Sequence, residues 1–475
     1  MNQPIELLIL GIGVSEHKND GVLRFEYFCQ KYNLPYKILG EGKKWNGGDM
    51  ENSPGGGQKI IEVRDALKKM DNVLIIICDT FDLFPLADKN EIINKFIKIC
   101  VLNKKSTDAI IFSSEIFCWP EKYLEKSYPV VSTTKYRFLN SGCIMGYRDQ
   151  IYSLIENDII NNTDDDQLFY TLKYFSNNNI LLDYKCELFQ AMNGIYEDLV
   201  VHKNRLYNKY TNSYPIFIHG NGPAKTYLNR LECYIEPQLE PIDYSFTLDQ
   251  SINNPYIKQD VINMDMFPKI FFALYIDSAD KNYLCFLQNV LEIDYPNKII
   301  YIYDASSNYN ENIQDVINLQ QESFTYYHHI NKYQFSDFEI SDCKYYFLLE
   351  QNYIIDNRNI LFELLPLCND YHRIISPLLH GKNNDAFTNY WGELDCNGYY
   401  KRADNYLDLI NYKYRGIWNV PYVSGVILIQ ASIIHDWDLM EIEEFGDRDM
   451  DLCYNMRRNT LFMYMCNLNH YGYII

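Results

Sequence analysis

The chain has 475 residues, of which 47% are hydrophobic and 15% aromatic, enough to build the buried cores of two or three domains. Its 63 acidic residues outnumber the 43 Lys and Arg residues and give a net charge of −20, which argues against a nucleic-acid partner or an anionic membrane surface. The 13 cysteines are scattered without a CxxC pair, so neither a zinc ribbon nor a dense disulfide framework is expected.

The N-terminal apolar run, residues 5–14, lacks a basic flank and ends in Gly-x-Gly-Val. This pattern predicts a buried first strand rather than a secretory signal peptide. No apolar stretch of the sequence reaches the roughly 18 residues that a membrane-spanning helix needs. We therefore expect a soluble intracellular protein without a membrane span.

Short apolar runs flanked by Gly, Asp or Asn alternate with amphipathic stretches along the first half of the chain. The runs predict strands over residues 6–10, 73–78, 109–112, 143–146 and 216–218. Residues 57–69 and 167–175 carry apolar side chains at helical spacing and predict helices between those strands. This alternation predicts an α/β fold with a largely parallel sheet.

A polar, Pro-containing stretch over residues 236–263 interrupts this pattern, which then begins again. Residues 269–276 predict a new first strand, residues 283–291 a helix and residues 298–303 a second strand. We therefore predict two tandem Rossmann-like domains of one architecture, at residues 1–245 and 246–475.

Two carboxylates, Asp79 and Asp82, follow the buried strand predicted over residues 73–78. Open α/β sheets bind ligands at the carboxyl ends of their strands. Two carboxylates there can bind Mn²⁺ or Mg²⁺ through oxygen and leave positions for a diphosphate. A D-x-x-D pattern also occurs as a helix cap, so the pattern alone leaves both interpretations open.

A second short strand runs into the turn His219-Gly220-Asn221-Gly222, which Lys225 follows. The glycines permit close approach of the backbone to phosphate oxygens, and Lys225 offers a positive charge. His219 offers a neutral nitrogen ligand to a metal, although a histidine that only hydrogen-bonds within its loop is the commoner case.

Two further segments stand at the start of predicted helices. Residues 55–59, Gly-Gly-Gly-Gln-Lys, suit a pyrophosphate or a tight turn. Residues 164–167, Asp-Asp-Asp-Gln, are also explained as an acidic N-terminus that the helix dipole favours.

Seven segments of the chain occur in the order seen in procollagen lysyl hydroxylase/glycosyltransferases, and the sequence resembles that family over nearly its whole length. The resemblance covers the family's glycosyltransferase domain and the accessory domain after it, and the chain is similar to a giant-virus member. The segments are residues 45–49, 55–59, 78–82, 112–121, 138–142, 164–170 and 219–223.

The resemblance implies two tandem GT-A-like domains, the first catalytic and the second degenerate. It implies transfer of glucose from UDP-glucose to galactosyl-hydroxylysine or hydroxylysine of a collagen-like polypeptide, with Mn²⁺ as cofactor and retention of configuration. UDP-galactose or UDP-N-acetylglucosamine as donor, and a non-catalytic collagen-binding scaffold, are the alternatives. The host cytoplasm or the virion is the expected location.

The resemblance also implies roles for individual residues. The metal ligands match Asp79, Asp82 and His219. The nucleotide site matches Lys59, Phe81, where the family has tyrosine, and Gly220 and Gly222; we add Lys225 for its charge and Gly13 and Val14, which follow the predicted first strand. The positions around the donor sugar and the acceptor match Trp45, Glu115, Trp119, Asp165, Asp166, Gln167 and Asn221.

The second half offers less to bind a metal. Glu350, followed by Gln351 and Asn352, stands where the first half has its carboxylate pair. A lone carboxylate lacks the second anionic ligand that a metal diphosphate needs, so we expect Glu350 to be a structural or surface residue. No H-x-D segment is present, so neither iron nor 2-oxoglutarate is expected as a cofactor.

Overall fold

The structure is a computed structural model that describes residues 5–50, 53–235, 267–277, 282–306, 324–328, 330, 333–395, 397–440 and 443–475. The chain divides into two compact units, Met1–Glu236 and Pro237–Ile475. The polar stretch and the predicted boundary between residues 245 and 246 lie outside the described residues, so that boundary stays a prediction.

The first unit alternates strands and helices as predicted. Its strands are β1 (Leu7–Ser15), β2 (Tyr36–Glu41), β3 (Leu74–Asp79), β4 (Leu83–Pro85), β5 (Ile110–Glu115), β6 (Phe138–Tyr147), β7 (Ile180–Leu182), β8 (Phe189–Ala191), β9 (Leu199–His202), β10 (Arg205–Asn208) and β11 (Phe217–His219). Its helices are α1 (Asp20–Lys31), α2 (Gly57–Leu67), α3 (Lys89–Leu102), α4 (Arg148–Ile155), α5 (Asp166–Ser176) and α6 (Lys225–Ile235).

The central sheet has the strand order β2-β1-β3-β6-β5-β7. Strands β2, β1 and β3 run parallel, but β6 is antiparallel to both β3 and β5. The expected α/β fold is therefore confirmed, whereas the sheet is mixed rather than largely parallel. Alternate residues of β3 pack on opposite faces, Ile76 towards α1 and α3 and Ile75 towards α2, α4 and α5.

The length of β6 differs most from the sequence prediction. The apolar pattern predicted residues 143–146, whereas the strand begins five residues earlier, at Phe138. Asn140, Ser141 and Gly142 interrupt the apolar pattern but lie in the strand, where Asn140 pairs with Ser113 of β5. Their polar groups are satisfied by side chains of the site described below.

A second, three-stranded sheet has the order β4-β11-β8. In its antiparallel ladder His219 of β11 lies opposite Leu83 of β4. The backbone N–H of Gly220 also donates a hydrogen bond of 2.8 Å to the carbonyl of Asp82. This pairing brings the end of β11 to the segment that follows β3, although the two are far apart in the sequence.

The second unit contains sixteen described strands. They are β12 (Ile270–Ile276), β13 (Lys298–Asp304), β14 (Phe324–His328), β15 (Tyr345–Glu350), β16 (Tyr353–Ile355), β17 (Ile374–Pro377), β18 (His380–Gly381), β19 (Asn384–Thr388), β20 (Tyr390–Trp391), β21 (Glu393–Leu394), β22 (Tyr400–Lys401), β23 (Ile417–Val420), β24 (Tyr422–Val423), β25 (Val426–Gln430), β26 (Met463–Cys466) and β27 (Gly472–Ile474). The described helices are α7 (Asn282–Leu291), α8 (Phe335–Glu339), α9 (Ile360–Leu364), α10 (Tyr406–Ile410), α11 (Ala431–Asp436) and α12 (Arg448–Arg458).

The second unit repeats the architecture of the first. Its large sheet has the order β14-β13-β12-β15-β25-β17-β26-β23. From β13 to β26 the successive pairings are parallel, parallel, antiparallel, antiparallel and parallel, the same series as from β2 to β7. The predicted duplication of one α/β core is thus confirmed, with β14 and β23 added at the edges.

The structure also bears on the predicted absence of a membrane span. No helix in the described part of the chain combines the length and the apolar character that crossing a bilayer requires.

Candidate active site

Three side chains able to bind a divalent metal meet at the carboxyl edge of the first unit's sheet. Asp79 ends β3, Asp82 precedes β4 and His219 ends β11, and one potential ligand atom of each lies within 4.8 Å of the others. His219 Nε2 is 3.4 Å from Asp82 Oδ1 and 3.9 Å from Asp79 Oδ2. Two carboxylates and an imidazole fit Mn²⁺ or Mg²⁺. No other such group of three occurs among the described residues.

The charges of this cluster depend on one another. Burial by itself raises the pKa of Asp82, but His219, Lys225 and Lys59 lower it below its ordinary value. Conversely, burial lowers the pKa of His219, and Asp82 and Asp79 raise it above its ordinary value. A proton and a divalent cation therefore compete for the same imidazole.

Lys59 balances the carboxylates from the first turn of α2. Its Nζ lies 2.9 Å from Asp79 Oδ1 and 3.7 Å from Asp166 Oδ2. Burial lowers the pKa of Lys59, but the two carboxylates raise it, so the ammonium is charged. Gly56 is the N-cap residue before this helix and has a φ of 105°, and a Cβ there would lie 2.9 Å from the Asp166 carboxyl. The glycine is thus required by both conformation and space.

Glu115 is buried at the end of β5 and held by three side-chain amides. Its Oε1 accepts from Asn140 Nδ2 at 3.0 Å and from Gln167 Nε2 at 2.9 Å, and its Oε2 accepts from Asn221 Nδ2 at 3.1 Å. Burial raises the pKa of Glu115, and these amides oppose the shift. The carboxylate is therefore fixed in place rather than free to move.

The two predicted acids at the start of α5 have different surroundings. Asp165 caps the helix, accepting a hydrogen bond of 2.6 Å from the backbone N–H of Leu168. Asp166 is buried beside Lys59 and accepts from Ser141 Oγ at 3.2 Å. Burial raises the pKa of Asp166 to about 6, although Lys59 lowers it. The capping interpretation thus fits Asp165, and Asp166 is the acid that faces the cluster.

The two predicted tryptophans also differ. Trp119 lies in the loop after β5 and is 53% exposed, and its carbonyl accepts from Gln167 Nε2 at 3.4 Å. Trp45 is half-buried, donates from Nε1 to the Gly48 carbonyl at 2.7 Å and lies against Gly47, where a Cβ would meet its ring at 2.1 Å. The face of Trp119 is open to a ligand, whereas Trp45 packs on its own loop.

The other residues predicted to bind the nucleotide lie in two places: at the ends of β1 and β3, and in the turn after β11. Ile12 pairs with Asp79, which puts Gly13 beside the end of β3, while Val14 is buried against Gly40. Phe81 is half-buried between Thr80 and Asp82. On the opposite side Gly220 packs on Leu228, Gly222 has a φ of 57°, and the Lys225 Nζ lies 3.9 Å from Asp82 Oδ2.

Sequence reasoning assigned no role to Asn140 or Ser141. Asn140 contacts both His219 and Glu115, and Ser141 donates from its backbone N–H to Gln167 Oε1 at 3.1 Å. The signal was present, since residues 138–142 form one of the segments that match the family. The match alone could not assign a role to either residue, because both contact side chains that are distant in the sequence.

At the corresponding edge of the second unit, the guanidinium of Arg448 lies among carboxylates of the same unit. Glu350 ends β15 as Asp79 ends β3, but it is buried, and Arg448 Nη2 lies 3.3 Å from its Oε1. Arg448 also pairs with Asp277 at 2.9 Å, and the Tyr333 hydroxyl lies within hydrogen-bond distance of both Glu350 and Asp449, to one of which it donates. Of the two expected roles, structural or surface residue, the structural one fits Glu350, but it is not a lone carboxylate, because Asp277 and Asp449 lie with it beside the same guanidinium.

The counterpart of the histidine is also replaced. In the second unit Ile474 of β27 pairs with Tyr353 of β16 in an antiparallel ladder, as His219 pairs with Leu83 in the first. An apolar side chain thus stands where the first unit has its imidazole.

Comparison with known proteins first shows the class of protein to which this α/β fold and its site belong. Residues 5–244 match the family described as the PLOD GT domain, and residues 339–475 match the N-terminal domain of glycosyltransferase family 25. A solved glycosyltransferase involved in the glycosylation of the major capsid of PBCV-1 has a TM-score of 0.29 and 13% identity, covering 46% of this chain and 94% of that chain. By the two family matches, the chain is a glycosyltransferase.

The relatives identify the particular family. An uncharacterized protein of Acanthamoeba polyphaga mimivirus is 51% identical, with 100% of this chain and 99% of that protein covered. Human procollagen-lysine,2-oxoglutarate 5-dioxygenase 2 is 31% identical over 98% of this chain, and the human multifunctional procollagen lysine hydroxylase and glycosyltransferase is 28% identical over 99%. The chain spans 65% of the length of each human relative. This chain belongs to the procollagen lysyl hydroxylase/glycosyltransferase family.

Replacing Gly142 by alanine should displace the imidazole of His219. A Cβ at Gly142 would lie 2.2 Å from His219 Cε1, so the ring has to move. We expect the affinity for Mn²⁺, measured by calorimetry, to fall about 10- to 100-fold. Gly146→Ala on the same strand is the control, because its Cβ would meet neighbours at 3.4 Å. Equal affinities of the two variants would contradict this geometry.

Replacing Glu350 by alanine should destabilise the second unit without affecting transfer. The change removes a buried partner of Arg448, so we expect a loss of about 3 kcal/mol in the free energy of unfolding, measured in urea. The exposed Glu339 provides the control Glu339→Ala, which should change stability by less than about 0.5 kcal/mol. A drop in turnover by the folded Glu350→Ala protein would instead indicate a second active site.

Proposed function

We propose that the first unit transfers glucose from UDP-glucose, with Mn²⁺, to galactosyl-hydroxylysine or hydroxylysine of a collagen-like polypeptide. The observation that carries the proposal is the cluster of Asp79, Asp82 and His219, flanked by the charged Lys59. The names of the animal relatives, which combine procollagen lysine hydroxylase and glycosyltransferase, support this acceptor class. The viral relative supports a location in the infected host cell or the virion.

Asp79, Asp82 and His219 would hold the metal, which when bound acts as a Lewis acid that neutralises a departing diphosphate. Lys59 and Lys225 add positive charge on two sides of the cluster, at Asp79 and Asp82 respectively. The Lys225 side chain is 52% exposed, so it can reach a ligand in solvent. The Gly220 to Gly222 turn presents a backbone with little side-chain bulk to the same region.

Asp166 is the group best placed to stabilise positive charge at the sugar. Glycosyl transfer passes through an oxocarbenium-like state, which a nearby carboxylate stabilises. Asp166 lies within 3.7 Å of Lys59, which itself contacts Asp79, so it faces the same space as the metal ligands. Glu115, by contrast, is held by three amides and serves as a fixed acceptor of hydrogen bonds. Retention of donor configuration is part of the proposal, to be read from the product anomer by NMR.

The metal-dependent transfer should fail when Asp82 is replaced. We expect Asp82→Asn to lower kcat by about three orders of magnitude, because it removes an anionic metal ligand at the leaving group. We would measure kcat as the rate of UDP release, with a galactosyl-hydroxylysine peptide as acceptor and with and without EDTA. The donors compared are UDP-glucose, UDP-galactose and UDP-N-acetylglucosamine. The exposed Asp149 supplies the control Asp149→Asn.

The outcomes of this donor panel separate the alternatives. Preferential use of another UDP-sugar would change the proposed donor but not the proposed class of reaction. Full turnover in EDTA would contradict the metal, and the absence of UDP release with every donor would favour a non-catalytic collagen-binding scaffold.

Replacing Trp119 should separate acceptor binding from donor binding. Because its indole is 53% exposed, Trp119→Ala should leave the fold intact and abolish transfer to the peptide. UDP affinity, measured by calorimetry with Mn²⁺, should stay within about twofold. Tyr123→Ala is the control, since this tyrosine is an exposed aromatic side chain of the same loop. A Trp119→Ala protein that loses UDP affinity would place the indole in the donor site.

A further inference from the structure

Asn140 contacts the site at two points through opposite ends of one side chain. Its Nδ2 donates to Glu115 Oε1 at 3.0 Å, and its Oδ1 lies 3.2 Å from His219 Nδ1. The side chain is 4% exposed. It therefore joins a metal-ligand candidate to the buried carboxylate that the amides of Gln167 and Asn221 also hold.

The neighbours of Asn140 determine which end of its amide faces His219. The backbone N–H of Gly142 donates to Asn140 Oδ1 at 3.1 Å, while Glu115 Oε1 accepts from Nδ2. Reversing the amide would place its oxygen against a carboxylate and its NH₂ group against an N–H donor, losing both bonds. The carbonyl oxygen of Asn140 therefore faces the imidazole.

This orientation determines the tautomer of His219. An amide oxygen only accepts hydrogen bonds, so His219 Nδ1 has to carry the hydrogen of this contact. The lone pair of the neutral ring then lies on Nε2, the nitrogen that faces Asp82 and Asp79. The ring cannot shift towards the strand without meeting the backbone of Gly142, and the bond to Glu115 keeps the Asn140 oxygen at its contact with the ring.

We propose that Asn140 is a positioning residue that presets His219 for metal binding. Its amide oxygen holds the hydrogen on Nδ1, and its bond to Glu115 keeps that oxygen in place. This inference rests on the metal site of the proposed function, and it adds a specific cause for the affinity of that site. Partners of this kind, which hold a ligating histidine by its second nitrogen, change metal affinity when they are removed.

The test is Mn²⁺ affinity, measured by calorimetry for the full chain with and without UDP. We expect Asn140→Ala to weaken Mn²⁺ binding about 10- to 100-fold, because the imidazole loses the acceptor for its Nδ1 hydrogen. Asn140→Asp keeps an acceptor for the Nδ1 hydrogen of His219 but removes the Nδ2 donor to Glu115 and places two carboxylates together. Its Mn²⁺ affinity should therefore lie between those of Asn140→Ala and the unchanged protein, a partial rescue. This rescue distinguishes positioning from a general structural role.

A second buried asparagine provides the matched control. Asn208 is fully buried in the same unit and donates to Tyr136 and Gln190, away from the metal ligands. Asn208→Ala should lower the melting temperature but leave Mn²⁺ affinity unchanged. Unaltered affinity in Asn140→Ala, or an equal loss in Asn140→Ala, Asn140→Asp and Asn208→Ala, would overturn the role of Asn140. Failure of the unchanged protein to bind Mn²⁺ would overturn the proposed metal site as well.

Discussion

The concentration of negative charge at the carboxyl edge of the first sheet is the constraint on which the rest of the site depends. Asp79, Asp82, Glu115 and Asp166 lie in one largely enclosed region. Carboxylates removed from water are costly unless each has a partner. Lys59 pairs with two of them, His219 contacts Asp82, and three amides hold Glu115. Lys225, at 3.9 Å from Asp82, adds a further positive charge beside the cluster.

The two units handle the same constraint in opposite ways. They share a series of strand pairings, and each has an acidic residue at the end of the corresponding strand, Asp79 in β3 and Glu350 in β15. In the first unit the histidine can bind a cation but does not itself supply a permanent charge. In the second, Arg448 contributes a guanidinium that is always protonated and contacts both Glu350 and Asp277. The second unit thus keeps the fold of the first with a different arrangement of charge at this edge.

Sequence patterns predicted the repeated α/β core well because buried strands and amphipathic helices are local signals. The apolar run ending at Asp79 correctly marked β3 and its carboxyl edge. The direction of β6 was not predictable from such a run, since an apolar segment looks the same in a parallel and an antiparallel strand. The partners of Glu350 were missed for a related reason: Arg448 and Asp449 come from α12, far along the chain. The residues themselves indicated Asp79, Asp82 and His219 as possible metal ligands, the roles around the sugar came from the family resemblance, and all of these roles stay predictions.

The reversed direction of β6 determines which connection of the chain borders the site. Because β6 runs against β3, its first residues, rather than its last, lie beside the cluster. The connection that enters β6, residues 116–137, therefore borders the site and carries the exposed Trp119 and Tyr123. The connection that leaves it passes directly into α4 at the opposite edge. A change in the length of the first connection would thus alter the surface beside the cluster, whereas a change at Asn140 or Gly142 within β6 would meet His219 itself.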